Sequence, residues 1–344
     1  MENYFISHEY FKSFVEQMIS LNEVIAPVAK ENKFVFDKLT SFADLRLDYN
    51  VTILPPKKEF FPPTQHLIRF DQFGFTSCLN VTEKILFGVH YYDIKGLDMS
   101  DEFYQAGKED IHYTAQREAT TLIGSSIQSI SPDAFWATVG DNIEPQGHDG
   151  FLTLLDSGYV FQVRNDKAQK LLQYGKFSSA SALQVEQAQQ VNEAIKHKCL
   201  KKLNYASADI AQKVRANFDN MALWRELSDA CFSCGSCNTI CPTCYCFDVQ
   251  DNWNADQLSG FRTRYWDSCL TEDFAKVSLG GGSTENFRDD TATRFRHRIM
   301  RKMAYLNEAL GGPACTGCGR CVTACTVKIA DPVKVVDKIM QEGN

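Results

Sequence analysis

Eleven of the thirteen cysteines lie between Cys231 and Cys325, at the spacing of thiolates gathered around iron. The first run, CFSCGSCNTICP, sets Cys231, Cys234, Cys237 and Cys241 in the order C-x2-C-x2-C-x3-C-P and closes on Pro242. The second, CTGCGRCVTAC, repeats it with Cys315, Cys318, Cys321 and Cys325, and has Thr326 where the first has its proline. This is the ligand pattern of a [4Fe-4S] cluster. Three thiolates two residues apart converge on one cubane only if the backbone wraps closely around it. Gly235, Gly317 and Gly319 give the chain that freedom and let loop amides point at the cluster sulfurs. Structural zinc uses two separated C-x2-C pairs and has no need of a threefold run with a fourth cysteine. Disulfides would need an oxidising compartment.

In two-cluster ferredoxins the fourth cysteine of each run ligates the other cluster. The expected sets are therefore Cys231, Cys234, Cys237 and Cys325 on one cluster, and Cys315, Cys318, Cys321 and Cys241 on the second. Cys244, Cys246 and Cys269 are needed by neither. As plain thiols they would be buried near the clusters. As ligands they would make a third iron–sulfur site, with Asp248, Asp267, His297 and Cys199 as candidates for its fourth position. Arg294, Arg296, His297, Arg298, Arg301 and Lys302 form a dense cationic run, which is expected to be a solvated helix face. The sharper alternatives are an acidic partner, or compensation of a cluster's negative charge. Lys57 and Lys58 could serve another interface in the same way.

Other chemistries lack their residues. Gly280–Gly282 follow no clear strand and lack the Gly-Lys-Ser/Thr ending of a phosphate loop, and no G-x-G-x-x-G occurs. Neither NAD nor flavin binding by this chain is supported, no substrate site is evident, and no Ser/His/Asp arrangement points to hydrolysis. The formal charge of −7 argues against nucleic acid as a general partner. The start, MENYFISHEYF, has no basic and apolar signal regions, and no apolar run reaches the length of a spanning helix. A cytoplasmic protein is expected, in which cysteines are metal ligands first.

The elements that must position these residues read as an α+β chain of 344 residues, long enough for two domains. Residues 1–21 carry Phe11, Phe14, Val15, Met18 and Ile19 at helical spacing and predict an amphipathic helix. Val24–Val28 and Lys33–Phe36 predict a hairpin around Glu31-Asn32. Short apolar runs follow at Val51–Leu54, His66–Phe70, Lys84–Val89, Thr121–Ile123 and Tyr159–Val163, and Pro55-Pro56 and Pro62-Pro63 bracket a semi-rigid loop. Residues 1–175 are expected to form a mixed α/β or mostly β scaffold for docking. Residues 176–228 read as a helical connector, with Ser178 or Ser179 as N-cap and a second helix from Ser207. Residues 229–344 then form an α-helical, ferredoxin-like two-[4Fe-4S] domain with a long insert between the runs.

CFSCGSCNTICPTCYCFDV at 231–249, RYWDSC at 264–269 and CTGCGRC at 315–321 resemble the iron–sulfur subunits of two systems. One is the beta subunit of NAD(P)-linked nickel–iron sulfhydrogenases, and the other is the iron–sulfur subunit of anaerobic sulfite reductase. LPPKKEFFPP at 54–63 and GVHYYDIKGLD at 88–98 match weaker motifs, so the resemblance covers nearly the whole chain. It implies electron relay from or to a flavin-containing NAD(P)H subunit, with a nickel–iron hydrogenase or sulfite reductase as the catalytic subunit at the other end. Members of the family carry a cysteine at the position of Tyr92 and a C-F-C at Ala134, Phe135 and Trp136. Cys78 alone cannot replace those cysteines, so the N-terminal domain is expected to hold no cluster. A competing expectation is a self-sufficient iron–sulfur reductase whose third cluster binds substrate through an open coordination position. A third is an iron-sensing or purely structural cluster protein.

Overall fold

The computed structural model describes residues 2–140 and 146–343 and divides them into two compact units. One takes residues 2–60, 80–137 and 146–200; the other takes 61–79, 138–140 and 201–343. Helices and sheets are mixed along the chain, an α+β fold.

The first unit is built on an eight-stranded sheet. From edge to edge its strands are Ser178–Ser179, Glu2–Ser7, Gly158–Val163, Gly150–Leu155, Thr120–Ser125, Lys84–Val89, Val24–Lys30 and Lys33–Lys38. The four strands from Gly150–Leu155 to Val24–Lys30 are parallel, and antiparallel partners flank them on both sides. A parallel strand is covered on both faces and must read as a continuous apolar run. KILFGV at 84–89 does so, and Ile85 to Val89 are buried. The hairpin at 24–38 forms as the sequence predicts, with Glu31 at φ 54° in its turn.

The N-terminal segment differs from its reading. Glu2–Ser7 is a strand, and the helix begins only at His8 and runs to Leu21 (Met1 lies outside the described residues). Helical periodicity holds from Phe11 to Met18, which face the core. Upstream of it, six residues gain a full antiparallel ladder against Gly158–Val163, which outweighs a local preference. Ser178 and Ser179 likewise pair with Phe5 and Tyr4 instead of capping a helix. The helix Ala182–Lys196 starts three residues on, where Ser181 and Gln184 make a reciprocal capping box.

The second unit carries the cysteine runs. Its helices Ser207–Ala216, Met221–Ser228, Thr291–Met300 and Pro332–Gln341 surround them. A four-stranded antiparallel sheet runs in the order Phe247–Trp253, Gly260–Trp266, Thr64–Asp71, Gly74–Ser77. The insert between the runs thus supplies one hairpin, and a segment some two hundred residues upstream supplies the other, joined through Thr64–Asp71 and Gly260–Trp266. Among the described residues, no helix is long and apolar enough to cross a membrane.

Candidate metal centre

The two runs fold alike. Each crosses two left-handed residues and then enters a short helix bearing the third cysteine. In the second run these are Gly317 (φ 68°) and Gly319 (φ 79°), before the helix Arg320–Ala324. In the first, Gly235 (φ 74°) precedes the helix Ser236–Thr239, while the position of Gly317 is taken by Ser233 at φ 54°. Sequence reading singled out the glycines and passed over Ser233. The Ser233 amide lies 3.4 Å from Cys231 Sγ, and its hydroxyl accepts from Arg294 at 3.3 Å.

Cys231, Cys234, Cys237 and Cys325 line one cavity of about 30 Å³, closed on its apolar side by Leu270, Phe295 and Ile329. The second run therefore delivers its last cysteine to the first run's loop. Burial raises the Cys237 thiol, opposed by Arg298, and the nearby Cys231, Cys325 and Cys241 raise it further. Cys234, nearest the surface, is lowered by the hydroxyl and amide of Ser236. Cys241 lies 3.4 Å from Thr243 Oγ1, close to the start of the second run, and its charge acts on cysteines of both runs. Burial, and then the charge of Cys241, push Cys315 up to about 11. Cys321 is raised by burial too, with Cys315, Cys318 and Cys241 adding to it.

A brace holds Cys241 there. Thr243 Oγ1 donates to the Ala314 carbonyl at 2.7 Å, just before Cys315, and the Ala314 amide donates to the Lys302 carbonyl at 2.8 Å. Lys302 Nζ in turn donates to Cys241 Sγ at 3.2 Å and to Thr243. Lys302 lies in a single π-helical turn, Arg301–Tyr305, that continues Thr291–Met300. Such turns recur at functional sites.

The cationic run is not a solvated face. Arg294, Arg298 and Lys302 are 5%, 3% and 7% exposed, and Arg296 lies over the Phe218 ring at 4.0 Å. The helix that carries them passes among the thiolates. Burial opposes the charge of Arg298, but Cys237, Cys321, Cys244 and Cys241 outweigh it and raise its pKa. Lys302 behaves likewise, raised by Cys241, Cys244 and Cys315 against burial and against Arg298. Arg298 Nε also donates to Asn238 Oδ1 at 2.9 Å, and Asn238 Nδ2 donates to Ser268 Oγ and to Cys269 Sγ at 3.2 Å. Asn238, wholly buried between two ligand-type cysteines, was missed because a single Asn in a cysteine run carries no pattern. Of the lysines in the proline-bracketed loop, Lys57 is buried and Lys58 pairs with Glu59 at 2.9 Å, so Lys57 offers no interface.

Cys244, Cys246 and Cys269 line a second cavity, of about 50 Å³, together with His297. Burial and the neighbouring Arg288 and Arg296 lower His297 to about 4. In the first unit, Tyr92 donates to the Asn50 carbonyl at 2.7 Å and lies 2.8 Å from His90 Nδ1, and Ala134, Phe135 and Trp136 are buried.

Among the described residues, no three His, Cys, Asp or Glu side chains close on the single point one metal ion would occupy. What the first run with Cys325, and the trio Cys244, Cys246 and Cys269, surround are cavities, the form a polynuclear cluster requires. Sulfur-only donor sets, a dry apolar wall and buried cations to offset thiolate charge fit iron–sulfur clusters. When bound, such clusters take up and give back single electrons. The chain's own part is to hold them, to keep water off them through Leu270 and Phe295, and to stabilise added negative charge through Arg298 and Lys302.

Comparison with known proteins agrees. Residues 230–329 match the family model of a 4Fe-4S dicluster domain, so this is an iron–sulfur protein with two [4Fe-4S] clusters. Over 338 residues, 97% of this chain and 97% of the relative, it is 30% identical to sulfhydrogenase 2 subunit beta of Pyrococcus furiosus. The chain belongs to the family of sulfhydrogenase beta subunits, iron–sulfur subunits whose chemistry is electron transfer. No solved structure matches it.

Proposed function

We propose that the chain relays electrons within a cytoplasmic multi-subunit complex. A flavin-containing NAD(P)H subunit stands on one side, and a metal-containing catalytic subunit of hydrogenase or sulfite-reductase type stands on the other. Its two carriers are ligated crosswise: Cys231, Cys234, Cys237 and Cys325 hold one, and Cys315, Cys318, Cys321 and Cys241 hold the other. What supports this reading is the placement of the fourth cysteines: Cys325 lines the first run's cavity, and Cys241 lies beside Thr243, whose hydroxyl donates to the carbonyl just before Cys315. Each loop then touches both clusters, which makes them neighbouring carriers in one rigid core. The buried Arg298 and Lys302 support the same reading, since a fixed positive charge favours the reduced form.

Replacing Cys325 with serine tests the exchange. The expected result is a perturbed or lost cluster at the first run, read by EPR of the reduced protein, with the second run's signal intact. If the perturbed signal instead follows substitutions at Cys315 and Cys318, each run holds its own cluster and the crossed core is wrong.

A further inference from the structure

The cavity walled by Cys244, Cys246 and Cys269 lies outside the eight-cysteine set, and at about 50 Å³ it is of the same order as the cavity of about 30 Å³ at the first run. The chain's own cluster site is the yardstick, and by it the second space is comparable. Its wall also has the right charge. Arg298, Arg301 and Lys302 border it, so three thiolates there would meet three cations. Asn238 Nδ2 already donates to Cys269 Sγ, as a hydrogen-bond donor does to a ligating sulfur.

The structure separates the four candidates for a fourth ligand. The Asp248 carboxylate accepts from the Val249 amide and the Gln250 side chain on an exposed strand. That of Asp267 accepts from the Ser268 amide and the Thr271 hydroxyl. Cys199 belongs to the other unit, where the Trp136 and Ala137 amides meet its sulfur. His297 alone of the four lines the cavity, on the same helix as Arg298. We propose that Cys244, Cys246, Cys269 and the imidazole of His297 hold a third iron–sulfur cluster, of the [4Fe-4S] class. A neutral imidazole in place of one thiolate leaves such a cluster one negative charge lighter, and so easier to reduce than an all-cysteine cluster. The proposal does not depend on which partners exchange electrons with the chain.

The test counts iron in the full chain, purified anaerobically and reconstituted until both ferredoxin-type clusters are complete by spin quantitation. Three cubanes predict roughly twelve iron and twelve acid-labile sulfide per chain. Cys246→Ser and Cys269→Ser are expected to lose about four of each while the two ferredoxin-type signals persist. His297→Cys is expected to keep the iron and shift only the third cluster's midpoint to a more negative value. A wild-type content of about eight iron with both ferredoxin-type signals complete overturns the proposal. So does zinc in place of the extra iron, unchanged iron in Cys246→Ser, or an unmoved midpoint in His297→Cys. Should the serine variants fail to fold, the wild-type count still decides.

Discussion

A lysine ammonium sealed inside a protein must be held by what accepts its protons, and for Lys302 these are Cys241 and Thr243. Neither is a carboxylate, so the charge that balances it is that of the thiolates and whatever they bind. Replacing Lys302 with methionine keeps the stem and removes the charge. The second cluster's midpoint is then expected to fall by tens of millivolts, since about 1.4 kcal/mol of lost stabilisation equals about 59 mV for one electron. The first cluster should move less, because Lys302 donates directly to Cys241, whereas Arg298 is the cation that acts most on Cys237. A redox titration followed by EPR checks this, and equal shifts in both clusters would contradict it. None of this is legible in RFRHRIMRK itself. A run of cations gives a helix and a face, but whether water or sulfur meets that face depends on elements far away in sequence.

The loops that wrap the clusters rest on a few left-handed residues, and the two runs solve the same problem with different residue types. Gly319 at φ 79° has no Cβ to clash, whereas Ser233 at φ 54° carries a side chain in the same kind of conformation. Gly319→Ala is expected to cost on the order of 1–2 kcal/mol, the penalty of a side chain in this region. Ser233→Gly relieves a similar strain at the loss of two long contacts, to Arg294 and Thr291, and is expected to be close to neutral. Thermal unfolding of the reconstituted variants measures both, and equal destabilisation of the two would contradict the expectation. At this scale the sequence speaks clearly about the glycines, because positive φ and glycine go together. It is silent about Ser233, whose conformation is imposed by the loop it sits in. The helix start at Ser207 was legible from local sequence, whereas the starts at Glu2–Ser7 and Ser178–Ser179 were misread because strand pairing intervened.

Over the whole molecule, the cysteine runs were readable because cluster ligation is written in short spacings. The partnership of Thr64–Asp71 with Gly260–Trp266 was not, since nothing local in either strand names a partner two hundred residues away. The family and the two clusters support a donor and an acceptor on other polypeptides. Native mass spectrometry of the tagged protein from its source cells, with NADPH oxidation followed in the same preparation, tests that claim most directly. The expected result is a stable assembly containing a flavoprotein and a metal-bearing catalytic subunit, with NADPH oxidation that disappears when the chain is isolated although dithionite still reduces it. A monomer that oxidises NADPH without any flavoprotein would contradict the relay.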